Sequence, residues 1–128
     1  MAKITTTLFE NLKTESVTEG KPGNVSTQYL DPTDLLKPGD VLASALGACM
    51  MTMVGAVAAK RKEDLTGSRL EAEPEFDEAH TRVTGFKLAF TFPDGLTEET
   101  KQFYAKAAQT CPVHNSLKED IVYTVTIK

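Results

Sequence analysis

The sequence predicts an α+β fold, in which antiparallel sheet surrounds one long buried helix in the order β-β-α-β-β-α-α-β. Three observations carry that prediction. The stretch from Pro38 to Lys62 has no charge between Asp40 and Lys60, and only Ser44 and Thr52 interrupt its apolar and small residues, so it reads as a helix needing cover on nearly every side. Runs outside it alternate with the period of strands, most clearly Phe86, Leu88, Phe90 and Phe92. Turn signals at Gly20-Lys21-Pro22-Gly23 and Pro93-Asp94-Gly95 separate those runs.

In chain order, Ala2 to Val17 places Ile4, Thr6, Leu8, Glu10 and Leu12 on one side and reads as a single long strand. The glycine turn around Lys21 returns the chain into a second strand, Asn24 to Leu30. Two prolines between Asp31 and Pro38 lead into the central helix, with either Asp40 as its N-cap or Pro38 in its first turn. Gly67 breaks the chain, and Ser68 to Phe76 is a strand whose Glu71, Glu73 and Glu75 share one face, which must meet water. Arg82 to Phe92 pairs with it as a hairpin. Thr97, followed by Glu98 and Glu99, starts a helix that carries Phe103, Tyr104, Ala107 and Ala108 inward. Proline disfavours helical geometry in the residue before it, so that helix should end near Thr110 and a short one should run from Pro112 to about Glu119. Ile121 to Ile127 closes the fold as a strand.

At 128 residues the chain is expected to form a single domain, 1–128, small for a helix that demands cover all round. That mismatch suggests a partner subunit. A net charge of -4 without a clustered basic face argues against nucleic-acid binding. The basic run Lys60, Arg61 and Lys62 complements the negative end of the helix dipole. The central helix is close to the roughly 20 residues that a bilayer requires. Its Ala, Gly, Ser and Thr content and the charged, strand-like flanks nevertheless point to a core helix and away from a membrane span. The N-terminal residues carry no export pattern, and two cysteines without one imply a reducing compartment, so the cytoplasm is the expected location.

The chemistry rests on those cysteines. Cys111, placed at a helix start, faces unpaired backbone N–H groups that favour thiolate, and His114 one turn on can add a hydrogen bond or a charge. It is equally readable as a simple cap. Cys49, in the middle of the central helix, is readable as a small packing residue or as a shielded reactive thiol. An activating cation or base for it must come from elsewhere, and Lys21, Arg61, Arg69, Arg82, His80 and His114 are the candidates. A zinc site from Cys49, Cys111, His114 and His80 would need ligands from three separate segments, with only Cys111 and His114 locally spaced, so no metal is expected. No phosphate-cradling glycine loop or nucleophile elbow is present, and no cofactor is expected.

Taken together, the two cysteine stretches resemble a known family. An acidic residue opening an apolar helix, VLASALGACM around Cys49, followed by Cys-Pro-Val-His-Asn-Ser-Leu from Cys111, is similar to the OsmC/Ohr family over essentially the whole chain. The resemblance implies the OsmC-like fold as an intertwined homodimer, with the central helices buried together. It also implies a hydroperoxide reductase, a cysteine peroxidase of oxidative stress defence acting on organic hydroperoxides. In that role Cys49 resembles the peroxidatic cysteine and Cys111 the resolving one, and an external dithiol is the reductant. Family members specialised for organic hydroperoxides carry an arginine in the N-terminal glycine turn; Lys21 stands there in this chain and supplies a charge without the two-pronged contact. The matching acid comes one place late, at Asp40, on the opposite helix face from Cys49, and is better read as a cap. A second reading is a non-catalytic protein that binds a small apolar or sulfur-containing ligand at the dimer interface.

Overall fold

A computed structural model describes residues 3–128, so Ala2, the first residue of the expected N-terminal strand, lies outside the described residues. Contacts group the chain into two units, one ending at Val41 and the other comprising Leu42–Lys128.

The first unit is a three-stranded antiparallel sheet of β1 (Ile4–Leu8), β2 (Lys13–Thr18) and β3 (Val25–Gln28), in that order. The single long strand expected from Ala2 to Val17 is therefore two strands. A tight turn through Glu10–Leu12 folds β1 back on β2, with Leu8 opposite Thr14 and Ile4 opposite Thr18. Asn11 (φ 59°) and Leu12 (φ 61°) both take the left-handed conformation there. Asn tolerates that region but Leu does not favour it, so the turn carries none of the usual glycine signal. Hydroxyl pairs cross the sheet, Thr6 to Ser16 at 2.8 Å and Thr14 to Thr27 at 2.6 Å. The β2–β3 turn behaves as expected, with Gly20 (φ 76°) and Gly23 (φ 82°) where L side chains would be strained.

Helix α1 (Pro38–Lys60) starts one turn inside the first unit. Pro38 takes the first helical position, and Asp40 caps from within the helix: its Oδ2 accepts the Lys37 N–H at 2.9 Å. Through the second unit, α1 buries the stripe Ala43, Leu46, Met50, Val54 and Ala58. Its opposite face, including Ser44, Ala48, Thr52, Gly55 and Ala56, is exposed in this chain, whereas the sequence predicts cover on nearly every side. The open face is built from small residues, and Thr52 satisfies its hydroxyl by donating to the Ala48 carbonyl at 2.7 Å.

The sheet of the second unit has the order β4 (Arg69–Phe76), β5 (Val83–Thr91), β6 (Val122–Ile127). The hairpin β4–β5 is antiparallel, pairing Glu73 with Lys87 and Ala72 with Leu88. Leu70, Ala72, Phe86, Leu88, Phe90, Tyr123, Val125 and Ile127 all belong to the apolar cluster, while on the other face Glu71 and Glu73 are exposed as expected and Glu75 is half-buried. One expectation fails here, because β6 runs parallel to β5 and the sheet is mixed rather than antiparallel. The connection explains why: α2 (Glu98–Ala108) and α3 (Pro112–Ser116) lie between β5 and β6, and a parallel neighbour needs such a crossover. Leu46 and Met50 of α1, Phe86, Leu88 and Phe90 of β5, and Tyr104 and Ala108 of α2 are all sealed in the core. Each large side chain so buried contributes about 1.5–3 kcal/mol.

Thr97 caps α2, its Oγ1 accepting from Thr100 N–H at 3.1 Å. The same helix anchors the chain just beyond α1, where the Tyr104 hydroxyl donates to Glu63 Oε1 at 2.6 Å and Arg61 Nε donates to that oxygen at 2.7 Å. Tyr104 first, and Arg61 second, hold the Glu63 carboxyl below its usual range. Burial, reinforced by Glu63, pushes the Tyr104 hydroxyl up.

Candidate functional site

The Cys111-Pro112 step works as the sequence predicts. The chain leaves α2, Cys111 takes an extended conformation (φ -73°, ψ 149°) and becomes the N-cap of α3, and its Sγ accepts the His114 N–H at 3.3 Å. The chemical consequence differs from the expectation. Cys111 has 0% exposure. Burial pushes its thiol up, the His114 N–H pulls it back only in part, and Cys49 raises it further as a hydrogen-bond partner and like charge. A five-residue helix offers too little dipole to outweigh desolvation, so the cap does not make Cys111 a ready thiolate.

The same effect places the second cysteine. Cys49 sits on the flank of α1, partly buried between its core stripe and its open face, packed against the apolar cluster that holds Cys111 and near enough to raise the Cys111 thiol. Both thiols are free. The fold therefore brings together two cysteines that are distant in sequence and lie in the same unit.

Three of the candidate cations and bases, Arg61, Arg82 and His80, have side-chain partners elsewhere. Lys21 is exposed in the β2–β3 turn of the first unit, where its backbone N–H donates to Thr18 O at 3.1 Å. Arg61 is committed to Glu63 and lies over the Phe103 ring at 4.5 Å. Arg82 makes a two-pronged pair with Asp120, both bonds 2.8 Å. His80 stacks on Phe76 at 5.4 Å, and Arg69 is exposed at the start of β4. Within the second unit, His114 is the candidate that lies against Cys111, through its backbone N–H. Its ring packs on Tyr123 of β6 with centroids 4.6 Å apart. Tyr123 does not stand out in the sequence, where it is one aromatic in an alternating strand. The available signal is its inward parity with Val125 and Ile127, which drives a phenol into the core.

A cleft of about 400 Å³ runs beside the second half of α1, lined by Met51, Val54, Gly55 and Ala58 with Glu63 and Leu65, and neither cysteine lines it.

Residues 31–126 match the sequence profile described as OsmC-like protein. The chain belongs to the OsmC-like family. Solved structures agree across its length. A protein of Psychrobacter arcticus, described as an osmotic stress induced and detoxification response protein, superposes with a TM-score of 0.91 at 26% identity, covering 100% of this chain and 96% of that one. The organic hydroperoxide resistance protein OsmC of Legionella pneumophila gives 0.80 at 14% identity, with 100% and 96% covered. The organic hydroperoxide resistance protein OhrB of Bacillus subtilis gives 0.74 at 16% identity, with 100% and 98% covered. At these last two identities the likeness is one of fold. Comparison with curated proteins returns no match.

Proposed function

We propose that this OsmC-like protein is a thiol-dependent peroxidase that reduces organic hydroperoxides as part of a stress response. The observation that supports the reading is that Cys49 packs against the apolar cluster holding Cys111, near enough to raise its thiol. In the first step the Cys49 sulfur attacks the O–O bond: an S–O bond forms, the O–O bond breaks, and the alkoxide leaves with a proton as the alcohol. Cys49 is then a sulfenic acid. In the second step Cys111 attacks that sulfur, an S–S bond forms, and the hydroxyl leaves with the Cys111 proton as water. An external dithiol returns the pair to two thiols and is itself oxidised to a disulfide.

The division of labour rests on exposure, since Cys49 is the more accessible of the two and Cys111 is sealed and kept protonated. The apolar wall formed by α1 suits an alkyl or lipid hydroperoxide better than a small polar one. Lys21 is the charge we assign to thiolate stabilisation and to steering the hydroperoxide. The protein works as a homodimer in a reducing compartment, the cytoplasm, and the small-residue face of α1 packs against its counterpart in a second copy. Fold relatives named for organic hydroperoxide resistance support the reaction class.

The test is Cys49→Ser. It should abolish dithiol-dependent consumption of cumene hydroperoxide, and retention of wild-type turnover would eliminate the mechanism.

A further inference from the structure

A resolving thiol must lose its proton as it attacks, yet Cys111 lies in surroundings that hold the proton on. Two polar atoms beside it have no hydrogen-bond partner. His114 Nδ1 and Tyr123 Oη are both buried and unpaired among the described residues. Burying such atoms unpaired costs stability, a cost that points to a use. Their rings are packed together at 4.6 Å, and Phe86 fixes Tyr123 from the neighbouring strand at 5.9 Å. Burial raises the Tyr123 hydroxyl and Cys111 raises it further, which places phenol and sulfur in one neighbourhood. The His114 backbone is already bonded to that sulfur.

We propose that His114 is the base for Cys111 and that Tyr123 is the positioning residue that holds its imidazole. As the Cys111 sulfur bonds to Cys49, its thiol proton passes to His114 Nδ1 and then to the departing hydroxide, which leaves as water. The S–H and S–O bonds break, one S–S bond forms, and His114 ends neutral. The inference rests on the disulfide step proposed above. Of the titratable groups, Cys111 on its own turn accepts the His114 N–H and Tyr123 from β6 packs on its ring, while Cys49 from α1 acts on Cys111 and β5 presents Phe86 to Tyr123. Asp120 at the start of β6 is taken up by Arg82.

The step can be read without a hydroperoxide. With dithiobis(nitrobenzoate), Cys49 takes up one thionitrobenzoate as a mixed disulfide and releases one. Attack by Cys111 then releases the second, and both releases are followed by absorbance. In His114→Gln the first release should keep its rate, the second should slow by at least about tenfold, and its rise with pH should move to higher pH. Tyr123→Phe preserves ring packing should Gln at 114 disturb the fold, and it should slow the second release in the same direction by a smaller factor. A second release with wild-type rate and pH profile in both variants overturns the proposal, as does a wild-type protein that never gives one. Wild-type protein that resolves its mixed disulfide through His114 but ignores hydroperoxides would refute the peroxidase reading alone.

Discussion

Gly85 is where a single methyl group tests the packing that supports the site. It pairs with Val122 at the start of the parallel β5–β6 ladder, and a Cβ there would lie 2.7 Å from the Val122 carbonyl oxygen and 3.1 Å from Glu75 Oε1. The Glu75 contact involves the end of a flexible side chain and relaxes at little cost. The Val122 contact is backbone, and ordinary contact begins at 3.4 Å, so β6 must move by about 0.7 Å or give up its first pairing. Overpacking of that kind costs about 1–3 kcal/mol. Alanine in place of glycine within a strand recovers about 0.5–1 kcal/mol of backbone entropy. Taking the middle of each range, the net expectation for Gly85→Ala is a loss of about 1 kcal/mol, equivalent to a fall of about 4 °C in Tm for a chain of this length. Urea unfolding followed by circular dichroism measures it directly. Because Tyr123 comes directly after Val122, the same substitution should also slow disulfide formation. A Gly85→Ala protein as stable as wild type, or more stable by the entropic gain, would refute the reasoning.

Other parts of the molecule yield two more expected outcomes. Glu63 has a folded-state pKa below its ordinary value of 4.5, so the stability it contributes is fully present above that value and is lost as pH falls through the lower, folded one. The gap in urea midpoint between wild type and Glu63→Gln should therefore be widest near neutral pH and narrow on acidification below 4.5; a gap that stays constant would show that the Tyr104–Glu63 contact carries no charge dependence. Ala56 lies on the exposed small-residue face of α1. If the homodimer proposed above forms through this face, Ala56→Arg should shift the protein from dimer to monomer in light scattering, and an unchanged dimer would remove that face from the interface.

Much of the fold is legible in the sequence because the signals are local. The uncharged run from Val41 to Ala59 reads as a helix, the phenylalanines of β5 alternate, and Cys111-Pro112 forces a helix boundary where the structure has one. The β1–β2 turn is illegible for an equally local reason, since it uses Asn11 and Leu12 in left-handed geometry where glycine would have announced it. The parallel direction of β6 is a property of the crossover through α2 and α3, which alternation within a strand does not encode.

In the candidate site, both cysteines are visible as residue types and their encounter is not. Their sequence separation leaves the approach to the packing of α1 against the α2–α3 corner. The cap position suggests a reactive Cys111 only while the backbone N–H is weighed alone, and the desolvation that a fully buried sulfur suffers reverses the balance. The Tyr104–Glu63 bond and the inward Tyr123 hydroxyl are hidden alike, each belonging to an aromatic whose apolar body explains its position and conceals its polar tip.

The measurement closest to the central claim is the mass of the reduced protein after one equivalent of cumene hydroperoxide, combined with thiol alkylation and peptide mapping. The account predicts rapid loss of two protons and a peptide pair linked through Cys49 and Cys111. Two free cysteines that alkylate slowly, with the hydroperoxide unconsumed, would contradict it and leave the OsmC-like fold serving a binding role.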